Sequence, residues 1–178
     1  MSKYDQIQEA FDRAMHEFRD GLKNPSLYAE ILETTTIDQV YDAADKLQDE
    51  QAKHGHLRHL AKIEPYLERL RAYTGVIETF LQAKPEILSL IWGPIKLLLQ
   101  WSGTLKQSFD AIVNATAKIG EVLPQFQEVT RLFSGNDRIK DVLFLFFKDI
   151  LDFYRIALDF FSKKRKFSFL TAKRSPIS

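Results

Sequence analysis

The sequence predicts an all-α fold, an antiparallel bundle of about six to seven helices around one nearly all-apolar helix at residues 85–101. Three observations carry this. Apolar residues recur at three- and four-residue steps from end to end, and nothing alternates with the period of two that a half-buried strand needs. Seven Gly and six Pro in 178 residues are too few for a flexible or low-complexity chain. Finally, Lys84 to Trp101 is apolar on nearly every side, and such a helix sits inside a bundle or a membrane. With Gly93-Pro94 at its centre it is too short and too interrupted to span a bilayer, which takes about 20 apolar residues.

The elements follow in order. Tyr4, Ile7, Phe11, Ala14, Met15 and Phe18 form one stripe that Gly21 ends. Asn24-Pro25 starts a short helix through Leu27, Tyr28, Ile31 and Leu32, with Asn as N-cap and Pro first in the helix, and the Thr34–Thr36 run ends it. Thr36 with Gln39 has capping-box form before the stripe Ile37, Val40, Tyr41, Ala44, Leu47, which Gly55 closes. Pro65 kinks or restarts the next segment, where Leu57, Leu60 and Ile63 precede Tyr66, Leu67, Leu70, Tyr73, Ile77, Phe80 and Leu81.

Beyond the apolar helix, Leu105, Phe109, Ile112, Val113, Thr116 and Ile119 form a stripe ending near Gly120. Pro124 opens a shorter helix with Phe126, Val129, Leu132 and Phe133, and Ser134–Asp137 is a loop with N-cap chemistry. A long last helix carries Ile139, Val142, Leu143, Phe146, Ile150, Phe153, Tyr154, Ala157, Leu158 and Phe161. Residues 1–162 read as a single domain. Residues 163–178, opening on Lys163-Lys164-Arg165-Lys166, read as a frayed or disordered basic tail.

A formal net charge of +1 offers no bulk field for nucleic acid. The absence of Cys excludes disulfides, thiolate catalysis and Cys-ligated zinc, and fits a reducing compartment. The polar start lacks an apolar signal core, and Val142 to Phe161 carries five charges, so the expectation is a soluble, cytoplasmic protein.

No catalytic, cofactor-binding or metal-binding set is predicted. There is no G-x-S-x-G elbow, no phosphate loop, no Glu-x-x-His pair and no H-E-x-x-H helix. His54, His56 and His59 with Glu50 are the nearest approach to a metal site, and they read better as a solvated helix junction interrupted by Gly55. Asp149 and Asp152 read as a solvated helix edge paired with Lys148 and Arg155. Lys163, Lys164, Arg165 and Lys166, with Phe167 and Phe169 beside them, are candidates for anionic lipid; the simpler reading is a charged helix end. The acidic polar face of the first helix is the wrong sign for anionic lipid, so it docks on the bundle. Trp92 and Trp101 read as core rather than as a ligand cage.

The run Lys84-Pro85-Glu86-Ile87-Leu88, then Ile91-Trp92-Gly93-Pro94-Ile95-Lys96-Leu97-Leu98-Leu99-Gln100, resembles the hallmark of helical domains at the N-terminus of fungal NACHT-type receptors. These are STAND NTPases comparable to NLR immune receptors. Phe109-Asp110-Ala111-Ile112, Leu123-Pro124-Gln125-Phe126 and Lys148 to Tyr154 follow in the order that family shows, so the resemblance covers roughly Ile37 to Phe161. Its core is Trp92, Gly93, Pro94 and Lys96.

The resemblance implies a non-enzymatic signalling or effector module that acts through protein partners or a downstream NACHT module, in non-self recognition or regulated cell death. The NACHT module and its phosphate loop do not follow within these residues, which reads as a truncated gene model, a degenerate copy or a stand-alone adaptor. The alternative is a membrane-active cell-death bundle that releases its first or last helix into lipid.

Overall fold

Helix formation follows the apolar spacing at each segment. The computed structural model describes residues 3–53, 60–81, 84–102, 106–122 and 138–172. These fold as α1 (Lys3–Gly21), α2 (Ser26–Leu32), α3 (Asp38–Lys53), a 3₁₀ turn (Leu60–Ile63), α4 (Glu64–Leu81), α5 (Pro85–Ser102), α6 (Lys106–Val122) and α7 (Arg138–Ala172). No strand occurs among the described residues. The protein is an all-α helical bundle, as its periodicity predicts.

Local chemistry sets the boundaries. The Asn24 carboxamide oxygen accepts from the Ser26 backbone N–H at 3.2 Å and from its hydroxyl at 2.8 Å, so Asn24 caps the turn that Pro25 opens. Gln39 Oε1 accepts from the backbone N–H groups of Thr35 at 2.8 Å and Thr36 at 3.2 Å, the reach-back half of a capping box. Its Nε2 donates to the Glu33 carbonyl at 3.3 Å, so one amide both starts α3 and ties down the end of α2. Pro65 stands in the first turn of α4, where its missing N–H leaves no bond unmade, and the chain restarts there rather than kinking.

Helix α5 is the axis of the molecule. It touches α1, α2, α3, α6 and α7, and Ile87, Leu90, Ile91, Trp92, Ile95, Leu97, Leu98, Leu99 and Trp101 are all buried. Each such side chain contributes about 1.5–3 kcal/mol on leaving water. The Gly93-Pro94 pair does not break it: the helix is continuous from Pro85 to Ser102. Packing on every side outweighs the roughly 3 kcal/mol that an interior Pro costs. Helix α6 ends near Gly120 as its stripe predicts, its described residues running to Val122.

Neighbouring helices are not uniformly antiparallel. Helix α4 opposes α7: Tyr66 meets Tyr154, whereas Tyr73, further along α4, meets Leu143. Helix α1 runs parallel with α7. Phe11 packs on Phe144 and Phe147 (ring centroids 5.6 and 4.9 Å), Gly21 lies against Arg155, and Lys23 pairs with Asp159 at 3.2 Å. Parallel neighbours arise here because the two helices lie at opposite ends of the chain, so no short connection dictates their relative direction.

Two expectations about α7 are corrected. Val142, placed in the buried stripe, is exposed. The helix also continues through Ala172, carrying the basic run 163–166 in helical backbone instead of a frayed tail. No Gly or Pro intervenes before Pro176, Lys and Arg are good helix formers, and cations suit a helix C-terminal half. The expected helix at Pro124 to Phe133, the Ser134–Asp137 loop and Gly55 lie outside the described residues.

Candidate functional site

The motif residues of α5 are the first place to look for function, and three of the four are packing. Trp92 and Pro94 are buried. At Gly93 the backbone of α2 comes so close that a Cβ would meet the Ile31 carbonyl oxygen at 2.3 Å and the Ile31 Cα at 2.8 Å. Only Gly permits that approach. One turn earlier the Ser89 hydroxyl lies 3.3 Å from the Leu32 carbonyl and 3.0 Å from the Pro85 carbonyl, both within donating distance. The motif is therefore the seat of α2.

Lys96 is the exception. It is half-buried and lines an open groove of about 410 Å3 between α3 and α5, with Asp42, Lys46, Leu47, Glu50 and Gln100. Two acids and two lysines cancel there, so the groove has no net field with which to select a charged ligand.

A second close approach joins α6 to α4, where a Cβ on Gly120 would meet the Tyr66 backbone N at 2.8 Å. Above it lies the buried polar chemistry of the bundle. The Tyr66 hydroxyl donates to the Tyr154 hydroxyl at 3.1 Å, and the Tyr73 hydroxyl donates to the Leu143 carbonyl at 2.6 Å. Burial pushes all three hydroxyls above the ordinary tyrosine range, since a phenolate there would lose its hydration. Tyr41, nearer the surface, is pushed up to about 12 by burial and by its 2.9 Å bond to the Glu68 carboxylate. These hydroxyls stay neutral and act as staples between helices.

The outward side of α7 is the surface that packing leaves unexplained. Val142, Leu145, Ile156 and Phe160 are exposed large apolar side chains, Ile156 the most at 66%. Lys163 is exposed at the start of the basic run, and the side chains of Lys164, Arg165 and Lys166 lie outside the described ones. Asp149 and Asp152 are exposed, and Arg155 Nη2 donates to Asp152 Oδ1 at 3.4 Å. His54, His56 and His59 lie outside the described residues. Among the described residues no three acidic or histidine side chains converge as metal ligands would, and no helix is long and apolar enough to cross a membrane.

Residues 62–178, from the 3₁₀ turn through α7, match a family known as a domain of unknown function, DUF7708. The chain belongs to the DUF7708 family. No curated protein and no solved structure matches it. The DUF7708 segment includes all four motif residues, whereas α1, α2 and α3 precede it and pack onto it. The glycine inside the DUF7708 segment thus serves a helix outside it.

Sequence reasoning located the motif and the basic run, but missed two features. The tyrosine staples were visible only as members of a stripe; a buried Tyr needs a partner for its hydroxyl, and that need was the available signal. The exposed α7 face was hidden because α7 is apolar around much of its circumference, so periodicity alone cannot say which arc turns inward.

Proposed function

We propose that the chain is a non-enzymatic, cytoplasmic signalling or effector module of the type found at the N-terminus of fungal NACHT, NLR-like proteins. It acts through protein contacts, in non-self recognition or regulated cell death, with a NACHT module as its natural downstream partner. The motif Trp92-Gly93-Pro94 with Lys96, seated as the pivot of the bundle, is the observation that carries this reading. The exposed apolar side chains of α7 support action through contacts, since an outward apolar face marks a surface that meets something.

The test is forced clustering in fungal cells, with the chain fused to a ligand-induced dimerising module. Growth arrest or death on adding the ligand is the expected result. Unchanged growth with the fusion clustered and folded overturns the reading.

A second reading, a membrane-active bundle, is favoured by one observation: α7 carries the basic run at 163–166 in helical form. It predicts leakage of anionic vesicles, lost when Lys163, Lys164, Arg165 and Lys166 are all replaced by Ser. Intact vesicles exclude it.

A further inference from the structure

The charge of the molecule is unevenly placed. Residues 153–178 hold seven basic side chains and a single acid, Asp159, a net +6; this leaves −5 on the rest of a chain whose total is +1. The small total conceals a strong local field, which acts on whatever approaches the distal half of α7.

The fold adds to that run a cation from elsewhere and two apolar side chains. Lys23, from the turn after α1, reaches Asp159 at 3.2 Å. Lys163, one helical turn past Asp159, stands at the same carboxylate. One acid is thus shared by two exposed lysines, and a positive charge is left over. Ile156 and Lys163 are seven positions apart, two turns along one line of α7, with Phe160 between them. Both apolar side chains are exposed. Helical backbone continues through Ala172, so residues 164–166 belong to the same rod.

We propose that the distal half of α7, from Ile156 onward, together with Lys23, docks the folded protein on an anionic lipid surface. The lysines meet the anionic headgroups, and Ile156 and Phe160 enter the boundary between headgroups and acyl chains. Cations beside exposed apolar groups on one helix are what an interfacial helix requires. Nucleic acid would satisfy the cations but leave Ile156 and Phe160 in water.

The rest of α7 limits the contact. Asp152 and Asp149, both exposed, stand one and two turns before Ile156, and their charge keeps the proximal half off an anionic surface. Asp159, the acid inside the contact, is already held by Lys23. No helix among the described residues is long and apolar enough to cross a bilayer, so α7 lies on the surface. The contact is distinct from both readings above, because it needs no partner protein and no helix leaves the bundle.

Flotation of the whole chain with vesicles tests this. The protein floats with phosphatidylcholine vesicles holding about 30% phosphatidylserine at low salt, and not with pure phosphatidylcholine. About 1 M salt releases most of it. Lys23→Ser weakens binding by about fivefold, and Ile156→Ser with Phe160→Ser by at least about tenfold, with unchanged helical circular dichroism. Lys84→Ser, beside Asp12 toward the Phe144 end of α7, leaves binding unchanged. The chain has no cysteine, so one environment-sensitive dye reports insertion: its emission shifts to the blue on Ile156→Cys and not on Asp149→Cys. The vesicles keep their contents throughout.

No flotation with anionic vesicles at low salt overturns the proposal. So does flotation indifferent to the Ile156 and Phe160 substitutions, or equally tight binding of a DNA duplex, since either assigns the cations alone. Released contents mean that a helix leaves the bundle, which overturns surface docking in favour of the membrane-active reading. Intact vesicles with bound protein exclude that reading and leave this one standing.

Discussion

Replacing Gly93 by Ala tests whether the α5 motif is the seat of α2. The added carbon would lie 2.3 Å from the Ile31 carbonyl oxygen and 2.8 Å from its Cα. Carbon needs roughly 3.5 Å to either, so α2 has to retreat by about 1 Å. The obstacle is backbone, and no rotamer change relieves it. Retreat also lifts Leu27 and Ile31, both buried against the core. Overpacking of this kind costs about 1–3 kcal/mol, and partial loss of those two contacts adds to it. Against this, Ala gains about 1 kcal/mol over Gly in a helix interior. The net expectation is a loss of about 2–3 kcal/mol.

Gly75 provides the matched control. It lies inside α4, and a Cβ there would meet nothing within 4 Å. Gly75→Ala therefore keeps the propensity gain of about 0.5–1 kcal/mol without the clash. Equilibrium urea unfolding followed by circular dichroism separates the two. The midpoints move in opposite directions with little change in slope, and melting temperatures differ by roughly 10 °C for a chain of this size. If Gly93→Ala unfolds with the wild type, or Gly75→Ala loses as much as Gly93→Ala, the account of the motif is wrong.

Three further outcomes are expected. The folded state holds Tyr66, Tyr73 and Tyr154 protonated above their ordinary range, whereas the unfolded chain ionises near pH 10. Stability from these groups is thus complete below about pH 10 and lost as pH rises toward the folded values, by on the order of 1 kcal/mol per pH unit for each hydroxyl. Thermal melts between pH 9 and 12 check this, since Tyr66→Phe should flatten the decline. Gln39→Ala removes the cap on Thr35 and Thr36 and the tie to Glu33, and costs about 1 kcal/mol by the same unfolding assay. Phe11→Ala empties a fully buried site between Phe144 and Phe147, for about 3–5 kcal/mol, and a loss under 1 kcal/mol would mean that α1 is not docked as described.

Local chemistry was the legible part of this sequence. Asn24-Pro25, Thr36 with Gln39, and the stripes of α1 to α4 work over a few residues, and the described members of each stripe turn inward as its spacing predicts, whereas Tyr4, Ile7, Leu57, Leu60, Phe80 and Leu81 lie outside the described side chains. The apolar length from Pro85 to Ser102 announced its own burial. What the sequence did not disclose was which surfaces meet. That Gly93 faces Ile31, that Tyr66 reaches Tyr154 and that α1 lies parallel with α7 are contacts between residues far apart in the chain, which no local pattern encodes. The end of α7 was misjudged because a run of cations reads as solvated chain, although the same residues are good helix formers. For the candidate site, the motif was visible as a run of letters; its meaning as a backbone contact required the fold.

The parallel docking of α1 on α7 sets an order of events during synthesis. Phe11 emerges from the ribosome long before Phe144 and Phe147, the rings it packs against. At about 5–20 residues per second the interval is on the order of ten seconds. Throughout it, Phe11, Ala14, Met15 and Phe18 present an apolar stripe whose main partner has not yet been made. The nascent chain is thus sticky along α1, and a holding chaperone has its longest opportunity there, before α7 closes over that stripe.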